Sequence, residues 1–182
     1  MAAVGLLAGA GLFAMAPSAG ALTTLVSCPK GSVTGSGTVS PPVSPTNTQK
    51  NVITSTSSFS GCTGQETSGT VTSTQTTVAA ANCANLATPP PKGTVTSTGT
   101  FTITWGDGTT SSGTIKAKSS GSVTVPGPVI EKITAGHFFL AGHTTKSKTT
   151  LTLTPGAGQD CTTVPISSFT FVNASAANTT QT

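Results

Sequence analysis

Apolar and polar residues alternate with a period of two along much of the chain. In TGTFTITW (98–105), Phe101, Ile103 and Trp105 share one face, and Thr100, Thr102 and Thr104 share the other. Further on, Ile115 and Ala117 oppose Lys116 and Lys118, and in TTKSKTTLTLT (144–154) Leu151 and Leu153 oppose Lys146 and Lys148. This alternation predicts half-buried strands near 49–61, 68–78, 94–105, 110–119, 122–126, 129–135, 144–154 and 166–172. No stretch after residue 21 carries a convincing helical period. About eight short strands separated by turn residues predict an all-β fold, an antiparallel β-sandwich or barrel, with an immunoglobulin-like sandwich as one form of it.

The same alternation predicts a turn. A two-residue loop at Asp107-Gly108 would pair Trp105 with Thr110, turning Ile115 outward and the lysines inward. A three-residue loop, Gly106-Asp107-Gly108, pairs Trp105 with Thr109 and restores the match, with Gly108 in the left-handed position that such loops require. GDG therefore reads as a turn. A calcium site there would need several more oxygen ligands, and no second carboxylate stands close by in the sequence.

Two proline-rich stretches, VSPPVSPTNT (39–48) and ATPPPKG (87–93), read as connections or sheet edges. SGTVTSTQTT (68–77) is echoed by KGTVTSTGTF (92–101), which reads as two similar strands and not as a solenoid. The tail 173–182 lacks apolar periodicity and is expected to be disordered; its Asn173-Ala174-Ser175 and Asn178-Thr179-Thr180 match the glycosylation sequon. At the other end, Ala2 to Ala16 is an apolar run of signal-peptide length, followed by Ala19-Gly20-Ala21, although no basic residue precedes it. The organisation expected is a signal peptide over 1–21, a single β domain over 22–172 and the tail.

Composition narrows the function classes. Charged residues are 7% of the chain, all eight basic residues are Lys, and Tyr is absent. The net charge of +4 is spread out, without Arg or interleaved aromatics, which argues against a nucleic-acid partner. Cys28, Cys62, Cys83 and Cys161 in an exported chain predict two disulfides, with three pairings open and Cys28–Cys62 plus Cys83–Cys161 favoured. No spacing is the C-x-x-C of a zinc or redox site. Leu25 to Cys28 also fits a lipobox, the alternative in which Cys28 is lipidated and the protein is a membrane-tethered, cell-surface lipoprotein.

SCPKG (27–31), SGC (60–62), TGTFTITWGDGTTSSGT (98–114), AGHFFLAGHTTKSKTTLTLTP (135–155) and the closing PISSFTF strand resemble a group of actinobacterial secreted Thr/Gly-rich proteins. The resemblance implies an exported all-β domain with paired cysteines, and it transfers no functional residue. WGDGTTS also resembles the PKD type of immunoglobulin-like domain over this one hairpin; the His-and-Tyr-bearing strand that follows in that type is absent.

Catalytic groups are scarce. Glu66, Asp107, Glu131 and Asp160 are scattered singly, no G-x-S-x-G elbow or phosphate loop occurs, and Arg is missing. If AGHFFLAGH is extended, His137 and His143 project from one side with Phe139, and Glu131 completes a drawable metal set. Strand residues six apart stand some 20 Å from one another, so the expectation is two surface or partly buried histidines beside a Phe-Phe-Leu core segment. No catalytic, cofactor or metal residue is expected. The chain reads as a secreted, non-enzymatic β domain with a binding or envelope-structural role, its partner a cell-wall polymer or an extracellular protein. The alternatives are a protease inhibitor presenting the stretch around Cys83 and Pro89 to Pro91 and, last, an extracellular hydrolase.

Overall fold

Neighbouring strands hydrogen-bond in sequence order round the sheet, and the last barrel strand pairs with the first. A computed structural model describes residues 22–87, 94–120 and 127–182, so the expected leader, the segment 88–93 and the strand expected at 122–126 lie outside the described residues. The strands are β1 (Thr23–Cys28), β2 (Val33–Val43), β3 (Val52–Phe59), β4 (Thr63–Gly64), β5 (Gly69–Thr77), β6 (Thr94–Trp105), β7 (Thr110–Ser120), β8 (Gly127–Gly136), β9 (Thr145–Pro155), β10 (Ile166–Asn173) and β11 (Ala177–Gln181), with one short helix, α1 (Cys83–Ala87).

The order β2-β3-β5-β6-β7-β8-β9-β10 closes through β10 onto β2, giving an eight-stranded antiparallel barrel. Of the two architectures expected, the barrel is the one found, because the ladder is unbroken and leaves no pair of facing sheets. β9 divides one of its edges: Leu151 to Pro155 pairs with β10, and Thr145 to Lys148 pairs with β11. From there β11, β1 and β4 continue as a flap at one end of the barrel.

The tail is ordered, contrary to expectation. Asn173 is fully buried at the end of β10; its Oδ1 accepts the Val33 N–H, and its Nδ2 donates to the carbonyls of Pro29 and Ser175. That sequon asparagine is therefore closed to modification in the folded protein. The prolines of 39–48 are also accommodated differently, since Pro41 and Pro42 lie inside β2. They fall past Ser40, the last β2 partner of β3, and within the irregularity between Ser168 and Ile166 on β10, so neither ladder asks them for an N–H.

The barrel is plugged at both ends. At one end Phe101, Ile103, Trp105, Ile115, Phe59 and the flap residues Leu25 and Val26 pack together, and at the other Val39, Val43, Ala81 and Ile166 do so. Each plug holds a disulfide, Cys28–Cys62 in the first and Cys83–Cys161 in the second, the pairing favoured from the sequence. Because Cys28 spends its sulfur on Cys62, the disulfide and a lipid thioether at Cys28 exclude one another. Disulfides of this kind fit maturation in an oxidising, extracellular environment. Among the described residues no helix is long and apolar enough to cross a membrane.

Candidate functional site

The residues that point into the middle of the barrel are mostly small. Gly35 and Gly37 from β2, Ser55 and Ser57 from β3, Ser73 from β5 and Ala117 from β7 fill less space than the Phe and Trp side chains of the plugs. An eight-stranded barrel has room either for packed side chains or for one small ligand. Here the middle layer leaves a cavity of about 210 Å³.

Its two polar walls differ. Across β3, β5 and β6 the polar groups satisfy each other: Ser55 and Ser73 share a 2.8 Å bond, and Ser97 donates to Gln75 Oε1 at 2.8 Å. Across β8 and β9 stand Glu131, Ser147 and Thr149, with Ser147 paired opposite Glu131 in the ladder and hydrogen-bonded to its carboxylate. Thr149 Oγ1 is buried with no hydrogen-bond partner. Leu151, Leu153, Val129, Ile115 and Phe171 supply apolar surface between these walls.

Glu131 is half-buried by surface area and lines the cavity. Loss of hydration raises its pKa from 4.5 to about 7, which the Ser147 hydrogen bond opposes in part. Near neutral pH it therefore exchanges between acid and carboxylate inside an otherwise uncharged lining, with Lys118 at the exposed rim.

His137 and His143 are not brought to Glu131. β8 ends at Gly136, and the segment after it turns instead of extending, with φ of 85° at Gly136, 63° at Phe138 and 83° at Gly142. His143 is exposed in this loop. Of the expected Phe-Phe-Leu core segment only Phe138 packs inward, against Trp105 at a ring-centroid distance of 4.9 Å, while Phe139 and Leu140 are exposed.

His137 lies instead outside the Trp105 plug, beside the predicted hairpin turn. That turn has the three-residue form: Trp105 N–H donates to Thr109 at 2.9 Å, and Gly108 has φ 85°. Phe101, Ile103, Trp105 and Ile115 are all buried, as the register argument requires. Asp107 Oδ1 accepts the Thr109 N–H at 2.8 Å and the Thr109 hydroxyl at 2.7 Å. The hydroxyl bond and then the backbone bond hold its pKa below the ordinary 3.8, with a smaller contribution from the charge of His137.

A second carboxylate does reach this turn, from far away in sequence. Glu66, in the loop between β4 and β5, brings Oε1 to 3.8 Å from His137 Nε2. Sequence proximity offered no signal for this meeting, because Glu66, Asp107 and His137 come from three separate connections at the same end of the barrel. Asp160, the fourth acid, is distant in role: its carboxylate accepts the N–H groups of Thr162, Thr163 and Val164 and shapes the loop around Cys161. Comparison of the chain with protein-family models, with curated proteins and with solved structures finds no match in any of the three.

Proposed function

We propose that this chain is an exported, non-enzymatic binding domain whose barrel takes up a small, largely apolar molecule bearing a protonated amine. The observation that carries this reading is the cavity of about 210 Å³ with Glu131 in its wall. A half-buried carboxylate without a cationic partner is costly, and an amine placed beside it would offset that cost. Thr149 Oγ1, unpartnered in the same wall, offers a further acceptor. The size suits a ligand slightly larger than benzene, which fills an engineered cavity of about 150 Å³. A lone acid with Ser147 beside it, and neither a histidine nor a second carboxylate in the lining, makes a poor catalytic set, which is why binding is preferred to hydrolysis.

Calorimetric titration with n-hexylamine and n-hexanol tests the reading. The amine is expected to bind, Glu131→Gln to weaken it at least tenfold while leaving the alcohol unchanged, and Ala117→Phe, which fills the cavity, to remove both. Equal amine affinity in the wild type and in Ala117→Phe sinks it.

A second reading, contact with an anionic wall polymer, is favoured by the outer face of β7 to β9. Lys132 and Lys146 are register partners there, and Lys148 and Lys116 both flank Ile130. Like charges directly opposite one another repel unless an anion bridges them. Retention on an immobilised polyanion should fall with added salt and in Lys132→Gln/Lys146→Gln; salt-independent retention speaks against this reading.

A further inference from the structure

The chain has four carboxylates and two histidines, and three of these six side chains meet at one point. Donor atoms of Glu66, Asp107 and His137 all lie within 4.8 Å of one another, just outside the Trp105 plug. We propose that this triad is a divalent transition-metal site, with two carboxylate oxygens and one imidazole nitrogen as protein ligands and a further position left to water.

Each ligand is held before any metal arrives. Glu66 sits in a loop fastened by the Cys28–Cys62 disulfide, by Gln65 N–H to Leu25 O at 2.8 Å and by Cys62 N–H to Thr67 O at 3.1 Å. Asp107 is oriented through Oδ1 by Thr109, which leaves Oδ2 for another partner. His137 is fixed through its backbone: its N–H donates to Thr110 O at 2.7 Å, and its carbonyl accepts the Ser111 hydroxyl, which in turn accepts Trp105 Nε1–H at 2.8 Å. Gly106 allows the hairpin to approach the Glu66 loop, donating its N–H to Ser68 O at 2.9 Å; a Cβ there would come within 2.6 Å of Ser68 Oγ.

Glu66 is the most enclosed of the three. Its side chain is 10% exposed, and its Oε1 lies 3.8 Å from His137 Nε2. At 3.8 Å that contact is too long for a hydrogen bond, and it is an ion pair only while the imidazole is protonated. A nearly buried carboxylate left in this state is costly, and a cation between the three groups removes the cost. Ligands bound to zinc at about 2.0–2.2 Å in a tetrahedron stand about 3.3–3.6 Å apart, so closing the triad brings donor atoms together by at most about 1.5 Å. One imidazole and two carboxylates suit zinc and its neighbours, whereas calcium wants six to eight oxygens.

Trp105 supplies the readout. It is the only Trp in a chain without Tyr, and its ring centroid lies 6.3 Å from that of His137. Titration of the oxidised protein with zinc, followed by Trp fluorescence and by melting temperature, should show a single 1:1 transition and a melting point raised by several degrees. Copper should quench the same fluorescence. His137→Ala and Glu66→Gln should each weaken zinc at least tenfold, while His143→Ala and Glu131→Gln should leave it unchanged, which separates this site from the barrel cavity. Zinc affinity unaltered in His137→Ala, stabilisation by calcium but not by zinc, or no response to zinc in the wild type would each overturn the proposal.

Discussion

Glu131 faces inward on β8 between Val129 and Ile133, where the alternation of the strand calls for an apolar side chain. Its raised pKa links folding to pH with a definite sign. The folded state keeps a proton that the unfolded chain releases above 4.5, so the stability this group provides is complete below 4.5 and is lost as pH rises through about 7. Asp107 and Asp160 act the other way, in a separate window: their pKa values lie below 3.8, so what they contribute is lost only on further acidification. The urea midpoint should therefore fall between about pH 5 and about pH 8 in the wild type and stay level in Glu131→Gln. A wild-type midpoint equal at both pH values would contradict the burial argument. n-Hexylamine should raise the wild-type midpoint most at the higher pH, where the carboxylate is ionised.

At the scale of elements, the best-read unit was the β6–β7 hairpin, because its alternation is strict and one face is buried. A slip of one residue would have put Lys116 and Lys118 into the barrel, so pattern alone selected both the loop length and the role of Gly108. Gly113 was not read. It lies inside the same hairpin at an irregularity opposite β8, where a Cβ would strike the Lys132 carbonyl of the neighbouring strand. Gly113→Ala is expected to destabilise the protein by about 1–3 kcal/mol, since backbone and not a flexible side chain must yield. Denaturant unfolding measures this, and a change below about 0.5 kcal/mol would show that the β7–β8 bulge can relax. β1 and β11 escaped sequence reading for another reason. Leu25 to Cys28 in β1 read as a lipobox, and ANTTQ has no apolar rhythm; β1 is a strand because β11 pairs with it, and β11 because both β1 and the edge of β9 do.

Across the whole molecule, two disulfides hold the two ends of a barrel whose centre is thinly packed. Cys83–Cys161 spans 78 residues and Cys28–Cys62 spans 34. Replacing either pair by Ser should cost about 2–4 kcal/mol. The consequences for the sites should differ: Cys28→Ser/Cys62→Ser frees the Glu66 loop and should weaken zinc, whereas Cys83→Ser/Cys161→Ser should spare it. Calorimetric unfolding together with the Trp105 titration distinguishes the two, and equal zinc affinity in both variants would separate the flap from the metal site.

The sequence alone determined the all-β class, the buried faces of β6 and β7, the hairpin turn and the number of disulfides. Those properties follow from local alternation, turn chemistry and the count of cysteines. Closure into a barrel, the cavity left by small inward residues and the meeting of Glu66, Asp107 and His137 were decided only by tertiary structure. They depend on which distant strands pair, and on what the connections at one end of a closed sheet bring together. A period-two pattern is the same whether a strand faces another sheet or curls round to its own beginning. Only the pairing of β10 with β2 separates those cases, and it joins residues such as Gly35 and Phe171 that lie at opposite ends of the described chain.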